Sequence, residues 1–109
     1  TLLSGRKGIS FCNEPAGYFS NRWLSTILID PALAGVSRED LRLALEKENI
    51  ESRPLWKPMH MQPVFEGSPF YGDGTSERLF ANGLCLPSGS NMTNEELARV
   101  FEVINSVIK

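Results

Sequence analysis

Apolar residues recur along this chain with two different periods, and the period marks the elements. Arg22–Asp30 gathers Trp23, Leu24, Ile27, Leu28 and Ile29 and is closed by Pro31. This composition predicts a strand, and a central one, because its second half is apolar on both faces. Ser37, standing three before Asp40, forms a capping-box pattern, and Leu41, Ala44 and Leu45 follow at helical spacing. A helix over about 38–48 is predicted, with Asn49 as its left-handed stop. Ile50–Arg53 alternates up to Pro54, as a short strand would. Thr75–Asn82 reads as a short helix with Leu79 and Phe80 inward and Gly83 as its stop. Leu84–Leu86 reads as a short buried strand ended by Pro87. After a turn at Ser88–Asn91, Thr93 and Glu96 make a second capping box. Leu97, Val100, Phe101, Ile104, Val107 and Ile108 then keep helical spacing to the end. Residues 1–17, with Gly5, Gly8, Pro15 and Gly17, read as an irregular lead-in holding a short strand near Ile9–Cys12. Pro31–Val36 reads as a connection. The order predicts an α+β fold, a two-layer α/β sandwich whose small, mostly antiparallel sheet carries helices on one face.

One stretch breaks the pattern. Residues 54–74 hold Pro54, Pro58, Pro63 and Pro69, four of the seven prolines, together with Gly67, Gly72 and Gly74. About 20 residues without regular structure are unusual inside a compact domain and are either functional or disordered. Trp56, Met59, His60, Met61, Phe65, Phe70 and Tyr71 are too much aromatic and sulfur surface for a solvated linker. An ordered loop packing on something is expected.

Composition narrows the classes. The chain has 109 residues, 41% apolar and 22% charged, which suits one soluble globular domain. At this size it buries roughly two-thirds of its unfolded surface and needs no disulfide or metal to hold a core. The net charge of -2, with no long run of one sign, argues against a nucleic-acid footprint and a polybasic membrane patch. No apolar stretch approaches the roughly 20 residues of a membrane span, and no secretory signal stands at the start. Cys12 and Cys85 lie too far apart for a metal motif and read as ordinary thiols of a reducing, cytoplasmic compartment in preference to a disulfide bridge. His60 is the only histidine, so a His-His zinc site is impossible and no metal site is expected. The chain opens on Thr1, as a piece of a longer polypeptide would, or a chain trimmed by processing or removal of a tag.

The chemically useful side chains concentrate at Arg53–His60. A guanidinium at a strand end suits bidentate binding of phosphate or carboxylate. Trp56 offers a flat face for a sugar or a base. Lys57 adds a point charge, and His60 can donate or accept hydrogen bonds near neutral pH. The bland alternative is a proline-rich loop whose Trp caps the core while Arg and Lys are solvated. Asn21-Arg22-Trp23 is a second polar-aromatic cluster, with the competing reading that Trp23 fills the core. Ser88–Asn91 could bind an anion through free amides or simply lead into the cap. Gly5-Arg6-Lys7-Gly8 lacks the ending of a phosphate loop. The acidic residues fall on helix starts and outer faces, and no paired catalytic carboxylates stand out.

The run Arg53–Phe65 (Arg-Pro-Leu-Trp-Lys-Pro-Met-His-Met-Gln-Pro-Val-Phe), followed by Gly83–Thr93, resembles the C-terminal small domain of the DegT-family sugar-nucleotide aminotransferases. The Asn21–Leu24 segment and the Ser37 helix fit the same order, so the resemblance covers about Ser4 to Ile108. Its Trp-Lys-Pro-Met-His version resembles enzymes making 4-amino-4,6-dideoxy sugars, as in UDP-bacillosamine and perosamine synthesis. The resemblance implies a small domain of an aspartate-aminotransferase-like fold. It also implies pyridoxal phosphate in the full-length protein, transfer of an amino group from glutamate to C4 of a nucleotide-linked 4-keto-6-deoxy sugar, and a homodimer. The Schiff-base lysine and the cofactor pocket would lie in an N-terminal large domain, so this chain alone is expected to hold no cofactor, to carry no catalytic residue and to be inactive. Carried over by position, Arg53, Trp56 and His60 face substrate, with Asn21 and Arg22 as further candidates. The rival class is a free-standing binding module, or a regulatory relative without catalysis, that docks through the Trp56 loop.

Overall fold

The computed structural model describes residues 3–108. Four strands, β1 (Ile9–Phe11), β2 (Ser25–Ile29), β3 (Arg53–Pro54) and β4 (Gly83–Leu86), form one sheet in the order β1-β2-β4-β3. Every neighbouring pair is antiparallel, with Ile9 opposite Ile29, Ile27 opposite Leu84 and Arg53 opposite Cys85. Four helices accompany it: α1 (Pro31–Ala34), α2 (Arg38–Lys47), α3 (Thr75–Asn82) and α4 (Asn94–Val107). The α+β expectation holds.

The core lies between the sheet and the pair α2 and α4. Alternation in β2 places Ile27 and Ile29 in it beside Leu84, while helical spacing adds Leu41 and Leu45 from α2 and Val100 and Ile104 from α4. Each such side chain contributes roughly 1.5–3 kcal/mol by leaving water. Both predicted capping boxes form. Ser37 accepts from the Asp40 amide while the Asp40 carboxylate accepts from the Ser37 amide, and Thr93 and Glu96 do the same for α4. Asn49 takes the left-handed conformation at φ 55°, ending α2 as its side chain permits.

Three boundaries differ from the sequence pattern. The β2 strand begins at Ser25, not Arg22. Arg22 is left-handed at φ 54°, and Asn21 Oδ1 accepts the Trp23 amide at 3.1 Å, so a side-chain-closed turn replaces the first strand residues. The connection after β2 holds helix α1. Asp30 caps it by accepting from Ala32, Pro31 opens it and left-handed Gly35 ends it. That asymmetry was legible, but four residues are too few for a period to appear. The β3 strand is Arg53–Pro54 rather than Ile50–Arg53. Pro54 is tolerated because β3 is an edge strand with β4 as its one neighbour.

The 54–74 stretch is not wholly irregular. It contains two 3₁₀ turns, Met59–Met61 and Pro63–Phe65. Gly83 follows α3 without a left-handed turn. Its role is close approach, since a Cβ there would run into the Leu55 side chain and the Leu79 carbonyl.

Candidate functional site

Where β3, the end of β4 and the start of α4 diverge, they leave an open cavity of about 880 Å³. Residues 49–56 form one wall and residues 85–89 another. Met92, Glu96, Arg99 and Val100 close it from α4, and Trp23 and Trp56 line it from the two long loops. The volume is that of a small-molecule site.

The two tryptophans form the cavity's distinctive feature. Their ring centroids are 6.2 Å apart and the planes are tilted by 33°. Both stay largely in solvent, at 70% exposure for Trp23 and 69% for Trp56. Neither fills or caps the core, while Arg22, Arg53 and Lys57 are exposed, as the bland alternative has them. The backbone fixes them from both sides. The Asn21 turn sets the entry to Trp23. Two residues on, the Ser25 amide donates to the Ser88 hydroxyl at 2.7 Å, and that hydroxyl donates to the Leu86 carbonyl at 2.7 Å. Trp56 follows Leu55, whose amide donates to the Gly83 carbonyl at 3.3 Å and whose side chain occupies the space Gly83 leaves.

The polar groups of the wall are mostly engaged. Arg53 pairs with Glu51 at 2.6 Å, both exposed. The Arg99 guanidinium donates to the Glu48 carbonyl, and Glu96 is held in its capping box. The Ser52 hydroxyl is buried and has no partner among the described residues.

His60 stands elsewhere. It does not line the cavity. Its Nε2 lies 2.7 Å from Glu77 Oε1 on α3, and its ring stacks on Phe70 at 3.6 Å between centroids. The Glu77 carboxyl is held below the ordinary carboxylate range, first by its own backbone amide and further by His60, against the opposing effect of desolvation. His60 thus ties the Met59–Phe70 part of the loop to α3. Asn21 and Arg22 shape the turn before Trp23, and Arg22 pairs with Glu14 at 3.4 Å. Of the candidate residues, the structure therefore brings Arg53 and Trp56 into one wall, sets Asn21 and Arg22 just outside it, and separates His60. Trp23 is the member the sequence pattern did not place there. Its signal was only a large aromatic beside an Asn-Arg turn.

Lys7, Lys47 and Lys57 all lie outside the cavity wall, so no described amine is poised there to condense with a carbonyl. Lys109 lies outside the described residues. Cys85 lines the cavity, but burial pushes its thiol up, which suppresses the nucleophilic thiolate. Cys12 is a free, exposed thiol. Among the described residues no group of three or more His, Cys, Asp or Glu could hold a metal ion, and no helix is long and apolar enough to cross a membrane.

Comparison with known proteins supplies the relationship. The chain is 48% identical over 101 residues to EpsN of Bacillus subtilis (strain 168), provisionally named a pyridoxal phosphate-dependent aminotransferase; the match covers 89% of this chain and 25% of that protein. It is 32% identical over 92 residues to a GDP-perosamine synthase of Escherichia coli O157:H7, covering 84% of this chain and 24% of the synthase. The chain therefore spans about a quarter of the length of the curated relatives it matches. Its fold superposes on DesI, solved in the presence of its TDP-sugar product, with a TM-score of 0.84 at 24% identity, over 96% of this chain and 27% of that one. The aminotransferase TlmJ of Streptoalloteichus hindustanus gives a TM-score of 0.78 at 19% identity, over 96% of this chain and 27% of that one. The model of the DegT/DnrJ/EryC1/StrS aminotransferase family matches residues 1–105, and the chain belongs to that family.

Proposed function

We propose that this chain is the small domain of a pyridoxal phosphate-dependent aminotransferase that acts on a nucleotide-linked sugar in the cytoplasm. The 48% identity to EpsN across 89% of the chain carries this reading. The weaker likeness to GDP-perosamine synthases supports a nucleotide-linked sugar as substrate, and the resemblance carried by Arg53–Phe65 supports a 4-keto-6-deoxy sugar as acceptor with glutamate as amino donor. The cofactor, which supplies the electron sink, and the lysine that holds it belong to a large N-terminal domain, with the site completed across a homodimer. This chain alone is then inactive. Its part is to bind and orient the substrate. Arg53 and Trp56 do so from the cavity wall, Asn21 and Arg22 through the turn that sets Trp23, and His60 through the loop that it anchors.

The test uses the full-length protein. Glutamate should convert the cofactor's visible absorption band to that of the aminated form. Arg53→Ala and His60→Ala should raise the KM for the nucleotide-sugar, or lower kcat, by about tenfold or more while leaving that band intact. Wild-type kinetics in both variants would overturn the site assignment. Absence of any band in folded protein would overturn the enzymatic reading.

A further inference from the structure

We infer that the Trp23–Trp56 pair is the stacking platform for the nucleobase of the bound nucleotide, and that the cavity beneath it takes the base rather than the sugar. This rests on the proposed nucleotide-sugar reading and goes beyond it in assigning one part of the ligand to one part of the site.

Three observations carry it. The first is the platform itself. Two indole rings sit 6.2 Å apart, tilted by 33°, each roughly 70% exposed. Aromatic faces left in water and fixed in position suit another flat, polarisable ring, because stacking gains dispersion without any new ordering of the protein. The Asn21 turn and the Ser88 clip supply that fixation on one side, and Leu55 packed at Gly83 supplies it on the other.

The second is the chemistry of the wall. Ile50, Leu55, Phe80, Leu86, Met92 and Val100 give it a carbon surface. A pyranose carries hydroxyls around its whole ring, and each would lose water against such a surface without replacement. A base confines its polar atoms to an edge and offers two apolar faces.

The third is the state of the polar groups. Arg53 is paired with Glu51, the Ser88 hydroxyl already accepts from Ser25 and donates to Leu86, Glu96 is occupied by the α4 cap, and Arg99 is bound to the Glu48 carbonyl. A hydroxylated ring would have to draw partners from these engaged groups or from the buried Ser52 hydroxyl, whereas stacking on the indoles needs none of them. The size agrees, since about 880 Å³ lies within the small-molecule range.

Equilibrium binding to the full-length protein separates the moieties. The probes are UDP, GDP and TDP, with inorganic pyrophosphate and a hexose 1-phosphate as ligands without a base. At least one nucleoside diphosphate should bind more than tenfold tighter than either control. Trp56→Ala and Trp23→Ala should each weaken it by about 5- to 150-fold, the usual range for losing one base–aromatic stack, while leaving the pyrophosphate affinity unchanged. Trp56→Phe should restore most of the loss, which a merely structural role would not predict. Both rings are exposed, so truncation should spare the fold, and an unchanged melting temperature checks this. Equal binding of nucleoside diphosphates and pyrophosphate, hexose 1-phosphate binding as tight as the nucleotides, or unchanged nucleotide affinity in both alanine variants would each overturn the assignment. The measurement needs no turnover. A protein that fails the glutamate test yet shows the tryptophan-dependent preference would refute the enzymatic reading and leave the platform standing.

Discussion

Leu45 on α2 and Tyr71 in the 54–74 loop are both large side chains that prefer apolar surroundings, and the molecule disposes of them in opposite ways. Leu45, with Ile27 and Ile104, is at 0% exposure between the sheet and the helices, whereas Tyr71 stands at 93% and Phe19, in the other loop, at 92%. The same division runs through whole segments. Every residue from 10 to 23 is exposed, and so is every residue from 66 to 73. The radius of gyration, 15.3 Å, exceeds the about 13 Å of a compact chain this long, as two extended loops would make it. A solvated linker would not carry Tyr18, Phe19, Trp23, Trp56, Phe70 and Tyr71. The layered core holds the shape, and the loops carry the exposed aromatic surface.

The sharpest way to break this division is to truncate on both sides of it. Leu45→Ala should cost about 2–5 kcal/mol in urea unfolding, because it leaves a cavity in the helix–sheet layer. Tyr71→Ala should stay within about 0.5 kcal/mol, as exposed substitutions do. A comparable loss in both would mean that the loop surface is already part of the isolated fold.

The caps sharpen the comparison at a smaller scale. Thr93→Ala removes the acceptor for the Glu96 amide and should cost about 1 kcal/mol. The melting temperature should fall, while nucleotide binding at the tryptophan pair should not change. Loss of binding in a fully folded Thr93→Ala protein would show that core and loops are coupled rather than separate.

Those caps also mark what the sequence made legible. Ser37 with Asp40, Thr93 with Glu96, and Asn49 act within one turn of chain, so their chemistry shows in adjacent letters. The bounds of α2, α3 and α4 follow closely from them and from the apolar period. Helix α1 was missed because Asp30, Pro31 and Gly35 frame too few residues to repeat. The β3 strand was misplaced because Pro54 looks like a terminator until β3 is known to lie on the sheet edge. The site was legible in its parts rather than its assembly. Arg53 and Trp56 go together in the sequence because they stand three residues apart in one segment, and the structure keeps them in one wall. Trp23 meets Trp56, and His60 meets Glu77, across folded distance that no local pattern encodes.

The finest division lies inside the 54–74 loop itself, between the part tied to α3 and the part that is free. His60, stacked on Phe70 and bonded to Glu77, is the tie. Glu77 has its carboxyl depressed in the folded protein, so the unfolded state binds the proton more readily, and the contribution of this group to stability is present above the ordinary glutamate value of 4.5. It is lost as the pH falls through the lower, folded value. Amide exchange around 59–70, once intrinsic rates are removed, should therefore quicken as the pH falls below the ordinary glutamate value of 4.5. Glu77→Gln should leave the melting temperature nearly unchanged and abolish the acid-dependent step, since the group that titrates is gone. The tip at 66–68, exposed and without a side-chain anchor, should exchange fast in both proteins. If the step persists in Glu77→Gln, another carboxylate controls the loop. One such group is Asp73, whose carboxyl is also depressed, through its bonds to Thr75 at the start of the same helix.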